Sequence, residues 1–274
     1  MKACIRVGTH QYVVDLDRPV SLATEISFAR EGPRHFGAPA ASSHALALPA
    51  FSGSVATGAS CNCSTLTLTP HCNGTHTECV GHLTTQPLDA FRIVPLGLVP
   101  AMLVTVTPES AGSASATGMA QPRMNDRLIT QRLLAMAWSA HAGVMSPVRS
   151  LVIRTLPNLR GKLDRADKVP PYLSSEAALW IVEHGIEHLV VDLPSVDRME
   201  DEGHLVAHRI FFGLPPGVHQ LDQARRAQCT ITELAYVPDA VPDGAYLLEL
   251  QVPEIGGDAV PSRPLLYALE AESS

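Results

Sequence analysis

Three histidines and a glutamate fall within one short segment, Thr69-Pro70-His71-Cys72-Asn73-Gly74-Thr75-His76-Thr77-Glu78-Cys79-Val80-Gly81-His82. Imidazole is the commonest metal ligand, and a carboxylate joins it in sites for zinc, manganese or iron. Asn73-Gly74 is a strong two-residue hairpin signal, because a type I′ turn needs positive φ at both central positions. Such a hairpin sets Cys72 opposite Thr75 and His71 opposite His76, with opposed Cβ atoms about 4.5–5.5 Å apart. Strand alternation puts Glu78 on the same face as His76. Two imidazoles and one carboxylate then converge from one hairpin, a ligand set for a divalent cation. His82 lies further along, where it can act on a substrate instead of ligating. The plainer alternative is a polar surface turn, which must also explain the strand-compatible spacing and the carboxylate.

The elements around this segment read as α/β. Val13-Val14-Asp15-Leu16 predicts a strand closed by the Asp17-Arg18-Pro19 turn, and Thr65 to Thr69 alternates as a half-buried strand. Apolar runs predict further strands at Arg92 to Leu96, Ala101 to Val106, Ser150 to Thr155, His188 to Leu193, Cys229 to Ala235 and Ala245 to Val252. Helices are expected from Asn125 to about Ala140 and over Asp201 to Phe212. A third runs from Glu176 to His184, capped by Ser174 or Ser175, with Gly185 at its C′ position. Residues 30–60 predict a long ordered loop or lid, and residues 108–118 a flexible surface loop. No repeat or boundary interrupts the chain, so one α/β domain over residues 1–274 is expected.

Composition narrows the function classes. Of 274 residues 46% are hydrophobic and 17% charged, which excludes intrinsic disorder for most of the chain. A formal charge of −7 argues against nucleic acid or an anionic membrane as partner and leaves a small-molecule substrate. No apolar run reaches membrane-spanning length and no secretory leader is read, so a cytoplasmic location with reduced thiols is expected. Gly-x-Ser-x-Gly, phosphate-loop and dinucleotide motifs are missing from the sequence.

Rival signals are weaker. His184-Gly185-Ile186-Glu187-His188 fits an inverted zincin pattern, but Gly185 ends a helix inside it and a strand follows. His204 lies one helical turn before His208 and reads best as a solvated residue. Cys61, Cys63, Cys72 and Cys79 lack paired Cys-x-x-Cys spacing and read as structural thiols. Gly8-Thr9-His10 lacks the downstream acid and histidine.

Gly74-Thr75-His76-Thr77-Glu78 and His82 resemble the cyclase-like metal-dependent hydrolase family, whose hallmark is His-x-Gly-Thr-His-x-Asp-x-Pro-x-His. Val14-Asp15-Leu16 resembles its N-terminal Asp-Leu-Ser segment, and Asp192-Leu193-Pro194-Ser195-Val196-Asp197 its Asp-x-x-Ser-x-Asp segment. Ala207-His208-Arg209 and Ile231-Thr232-Glu233-Leu234 resemble its distal His and Glu elements. The resemblance implies metal ligands at His76, Glu78, His208 and Glu233. The first motif histidine falls on Cys72, with His71 one residue back; the hairpin pairing selects His71, and Cys72 is the alternative. Glu78 stands where the family has Asp, and Val80 where it has Pro. Asp192, Ser195 and Asp197 are candidates for orienting the ligands, with strand-end capping as their plainer role.

The resemblance further implies a swivelling β/β/α fold with a mixed sheet and flanking helices. It implies one or two divalent ions, zinc first and manganese next, and a homo-oligomer, dimer or tetramer. The expected activity is hydrolysis of an amide-like C–N bond, formamide or cyclic amide, or of a related lactone or ester, with His82 as general acid and base. Alternatives are a metal- or small-molecule-binding protein without turnover, a metal-dependent cyclase or dehydratase, and a thiol protein using Cys72 or Cys79.

Overall fold

Ser150-Leu151-Val152-Ile153-Arg154-Thr155 is buried at every position, as a strand with both faces covered must be. Its side chains separate by parity. Leu151 and Ile153 join one core with Met102, Val104, Leu189 and Val191, whereas Val152 joins a second with Leu103 and Val190. Truncating Leu151 or Ile153 to Ala would cost about 2–5 kcal/mol.

These residues lie in a computed structural model that describes residues 1–28, 32–111, 122–141, 143–159, 161–163 and 169–271. An 11-stranded sheet forms the frame. Its strands in chain order are β1 (Lys2–Val7), β2 (His10–Asp15), β3 (Val20–Ser21), β4 (His76–Glu78), β5 (Val99–Val106) and β6 (Ser150–Thr155). Then come β7 (His188–Val191), β8 (Thr230–Glu233), β9 (Gly244–Gln251), β10 (Ala259–Pro261) and β11 (Arg263–Ala271). The spatial order is β1-β2-β11-β9-β5-β6-β7-β8-β4-β10, with β3 beside β11. The run β5-β6-β7-β8 is parallel and the flanking pairs are antiparallel, so this is a mixed α/β fold.

Among the described residues five α-helices accompany it: α1 (Pro70–Asn73), α2 (Ala90–Ile93), α3 (Gln131–Ser139), α4 (Ser175–Glu183) and α5 (Val206–Phe212). Residues of α3, α4 and α5 cover the first core, through Leu134, Ile181 and Phe211. Among the described residues no helix is long and apolar enough to cross a membrane.

Several local expectations change. Thr65 to Thr69 does not form a half-buried strand: Ser64–Thr67 pairs with Ser42–Ala45 and all four residues are exposed. Within the expected 30–60 loop lie Ser42–Ala45 and the pair Ala47–Leu48 with Phe51–Ser52, while residues 30 and 31 fall outside the described residues. Arg92 to Leu96 begins inside α2, where Arg92 reaches back to Asp89. Asn125 does not cap α3; Thr130 does, its hydroxyl accepting from the Leu133 amide, after a strand at Arg127–Ile129. The expected helix from Asp201 starts only at Val206, because Glu202 and Leu205 have positive φ. Within the expected surface loop over 108–118, Glu109–Ser110 is a short strand, and residues 112–118 lie outside the described residues. The helix with Ser174 as cap and Gly185 at φ 70° forms as expected.

Candidate metal centre

The segment carrying His71 is helical, not a hairpin arm. Thr69 is the N-cap and Pro70 opens α1, a pairing suited to a helix start. The Asn73 side chain accepts from the Thr69 amide (2.7 Å) and donates to the carbonyls of Pro33 and Pro39, so it is unavailable for a type I′ turn. Gly74 is extended, and a Cβ there would lie 2.5 Å from Ile26 Cγ1. The predicted pairing of His71 with His76 is therefore absent. The two rings still meet, with centroids 5.2 Å apart, because α1 folds back over the start of β4.

Strand alternation does place His76 and Glu78 on one face, and both are fully buried. Directly across the ladder, His76 pairs with Glu233 at the end of β8. The chain then turns through Leu234, a non-glycine residue at φ 55°, a conformation costing about 1–3 kcal/mol and typical of functional sites. Thr75 and Thr24 hydroxyls both donate to the Leu234 carbonyl, at 2.7 and 3.2 Å, and hold this turn against the Gly-Thr-His segment. On the other side Asp197 accepts from the amides of Ala207 and His208 and from His208 Nδ1 (2.6 Å), fixing the start of α5 and the ring together.

The ligand atoms converge. His208 Nε2 stands 2.8 Å from Glu78 Oε1, and His71 Nε2 3.3 Å from Glu78 Oε2. His76 Nε2 and His208 Nε2 each lie 3.6 Å from a Glu233 oxygen. These approaches lack hydrogen-bond geometry: the Nε2 atoms of His71, His76 and His208 and both Glu78 oxygens are buried without a partner. They are five of the ten such side-chain atoms among the described residues. Buried polar groups are ordinarily paired, so an unpaired cluster signals an expected guest. His71, Glu78 and His82 form one potential metal-holding group, and His76, Glu78 and Glu233 another, with Glu78 common to both.

The outer atoms are held in place. His76 Nδ1 bonds the Gly74 carbonyl (3.1 Å), and Glu233 Oε1 accepts from the Val196 amide (2.8 Å). Such partners fix which nitrogen faces the centre. Burial works against protonated His71 and His208, but the carboxylates outweigh it. Asp258 and Glu78 push His71 up to about 10, and Glu78, Asp197 and Glu233 hold His208 well above its usual range. Glu78 is held well below the carboxylate range by His208 and His82 despite complete burial. A cluster that binds protons this firmly offers the same negative field to a divalent cation.

Asp258 is the participant that sequence reasoning missed. Its Oδ2 lies 3.1 Å from both His82 Nδ1 and His71 Nε2. Gly257 bonds Asp89 and Ala90 through its amide and carbonyl, and the Asp258 carbonyl accepts from the Cys79 amide, so the carboxylate is rigidly presented. The turn signature Gly256-Gly257-Asp258 was visible, but nothing local links it to a histidine 176 positions away.

Other candidates sit elsewhere. Asp192 accepts from the amide and hydroxyl of Thr155 and from Lys162, and none of these bonds reaches a candidate ligand. Ser195 accepts from the Asp197 amide, a local turn that shapes the loop. Cys72 and His208 fall in neither ligand group; His208 turns an unpaired Nε2 to Glu78, whereas at Cys72 burial followed by Glu233 pushes the thiol up. Gly8-Thr9-His10 contains the β1–β2 turn, where a Cβ on Gly8 would lie 2.0 Å from the Ser146 carbonyl oxygen.

Residues 14–198, about two thirds of the chain, match the family described as "Putative cyclase". A 120-residue stretch is 30% identical to the kynurenine formamidase of Bacillus cereus, covering 43% of this chain and 49% of that protein. The kynurenine formamidase of Bacillus mycoides matches to the same extent. The match thus spans about half the length of these curated relatives. Isatin hydrolase A from Ralstonia solanacearum superposes with a TM-score of 0.58 at 17% identity, covering 92% of each chain. A potential metal-dependent hydrolase with cyclase activity gives 0.58 at 18% identity over 91% of this chain and 97% of its own. At these identities the structural likeness is one of fold, and that fold is cyclase-like. The chain belongs to the cyclase family.

Proposed function

We propose that the chain is a metal-dependent hydrolase that opens an amide-like C–N bond, a formamide or a cyclic amide, in a small molecule. The observation that carries this reading is the set of five buried, unpaired ligand atoms beside a carboxylate-held histidine. His71, His76, Glu78, His208 and Glu233 would hold the cation, zinc or manganese, as one ion or two. When bound, such an ion lowers the pKa of water in contact with it and polarises a carbonyl. The similar formamidase and isatin hydrolase support an amide-like substrate. The same reading carries with it a swivelling β/β/α architecture and a homo-oligomer.

The remaining chemistry belongs to this chain's own residues. Asp258 accepts from His82 Nδ1, which leaves His82 Nε2 as the proton-carrying atom. His82 is partly exposed, unlike His76 and His208. There it takes up the proton lost by the attacking water and returns it to the departing nitrogen, while the C–N bond breaks and the carbonyl carbon keeps the new oxygen. Asp197 holds His208 through Nδ1, and the Val196 amide holds Glu233.

The test is hydrolysis of an N-formylated aromatic amine and of isatin by the purified protein, before and after chelation. The expected result is turnover lost on chelation and restored by zinc or manganese. Undiminished turnover in metal-free protein would refute the reading. Cation binding with no hydrolysis across formamides, lactones and cyclic amides would favour a binding protein on the same scaffold.

A further inference from the structure

The residue after His208 opens a second site. Arg209 is only 7% exposed. Its Nε donates to the His204 carbonyl (3.2 Å), and its Nη1 to the carbonyls of Pro215 (3.0 Å) and Val218 (2.8 Å). All three acceptors are uncharged. The nearby carboxylate, Asp197, is engaged by His208 and the α5 amides. A buried guanidinium without a counter-ion is costly, and proteins ordinarily pair such charges.

Gly213, at φ 64°, ends α5, and its carbonyl accepts from the Arg225 amide (3.3 Å). That turn sets Arg225, an exposed residue, along the same groove, and among the described residues its side chain has no partner. The two arginines line a groove of about 500 Å³ with His204, His219, Ile210 and Leu214. Among the described residues none lining it is acidic, although the whole chain carries −7. His219 gives Nδ1 to the Leu83 carbonyl (2.8 Å), so Nε2 is its free nitrogen. The groove shares α5 with the metal cluster but none of its residues.

We propose that this groove binds a small carboxylate with an apolar body. Arg209 keeps only Nη2 for a charged ligand, and Arg225 supplies the free fork whose geometry matches a carboxylate; the volume lies in the range of small-molecule sites. A neutral ligand leaves Arg209 uncompensated. Inorganic phosphate leaves the Ile210 and Leu214 wall uncovered.

The test is calorimetric titration of phenylacetate into the full chain, both metal-loaded and chelator-treated, with 2-phenylethanol and inorganic phosphate for comparison. The expected result is saturable phenylacetate binding below about 1 mM in both forms, and at least about tenfold weaker binding of the other two. Arg209 staples three carbonyls, so Arg225→Ala is the variant of choice; it should weaken phenylacetate at least about fivefold. His76→Ala, a change in the metal cluster, should leave phenylacetate binding unaltered. Absent saturation, or equal affinity for 2-phenylethanol, overturns the proposal. Binding lost in His76→Ala and kept in Arg225→Ala also overturns it, because the carboxylate then sits at the metal cluster. The groove stands or falls independently of hydrolysis.

Discussion

His208 and His188 are both buried, and each gives Nδ1 to a side-chain oxygen, Asp197 in one case and Thr230 in the other. Their proton affinities nevertheless move in opposite directions. Burial dominates at His188 and, with a smaller push from Arg149, lowers it to about 4 against an opposing pull from Glu187. At His208 the same burial is overcome by Glu78, Asp197 and Glu233. The Nδ1 bond therefore does not identify a ligand. The mark of a candidate ligand is instead an Nε2 atom left unpaired in front of carboxylates, which His71, His76 and His208 share. His184 illustrates the other class: its Nδ1 bonds the Trp180 carbonyl and its ring stacks on Trp180, with centroids 3.7 Å apart.

The contrast can be broken at several points. Glu78→Gln removes the carboxylate common to both ligand groups and should weaken zinc binding more than about 100-fold, beyond the effect of losing an outer partner. Competition with a fluorescent chelator measures it; unchanged affinity would detach Glu78 from the centre. At His188 the contrast predicts acid lability. The unfolded chain takes up a proton near pH 6.5 and the folded chain near 4, so the unfolded state binds more protons between them. Stability should therefore be intact above pH 6.5 and fall by up to about 3 kcal/mol as pH drops through 4. Urea unfolding across that window should show a shallower fall in His188→Asn.

Asp258→Asn tests the held histidine. Metal content should persist while kcat falls about 10- to 100-fold, with partial recovery in Asp258→Glu. Loss of metal together with kcat would make Asp258 a ligand instead. The smallest effect belongs to His184→Gln, which should leave metal content unchanged and cost under about 1 kcal/mol in thermal unfolding.

Some of this was legible in the sequence and some was not, for physical reasons. The alternation of His76 and Glu78 survives because a three-residue strand in a buried sheet cannot do otherwise. Helix α4 announced itself through Ser174 and Gly185, signals that act within a few residues. Asn73-Gly74 misled because side-chain bonds from Asn73 to residues 33, 39 and 69 outweigh a turn propensity that acts only locally. Thr69-Pro70 carried the opposing helix signal in the same stretch. Asp258 and the Arg209 groove depend on contacts between distant segments, which a local pattern does not encode.

The most direct test is the metal content of the purified protein, measured by mass spectrometry beside its hydrolytic activity, in the natural chain and in Glu78→Gln. The account predicts at least about 0.5 equivalents of zinc or manganese per chain, near-zero metal in the variant, and activity that follows the metal. A metal-free natural chain that hydrolyses a formamide at full rate would contradict it.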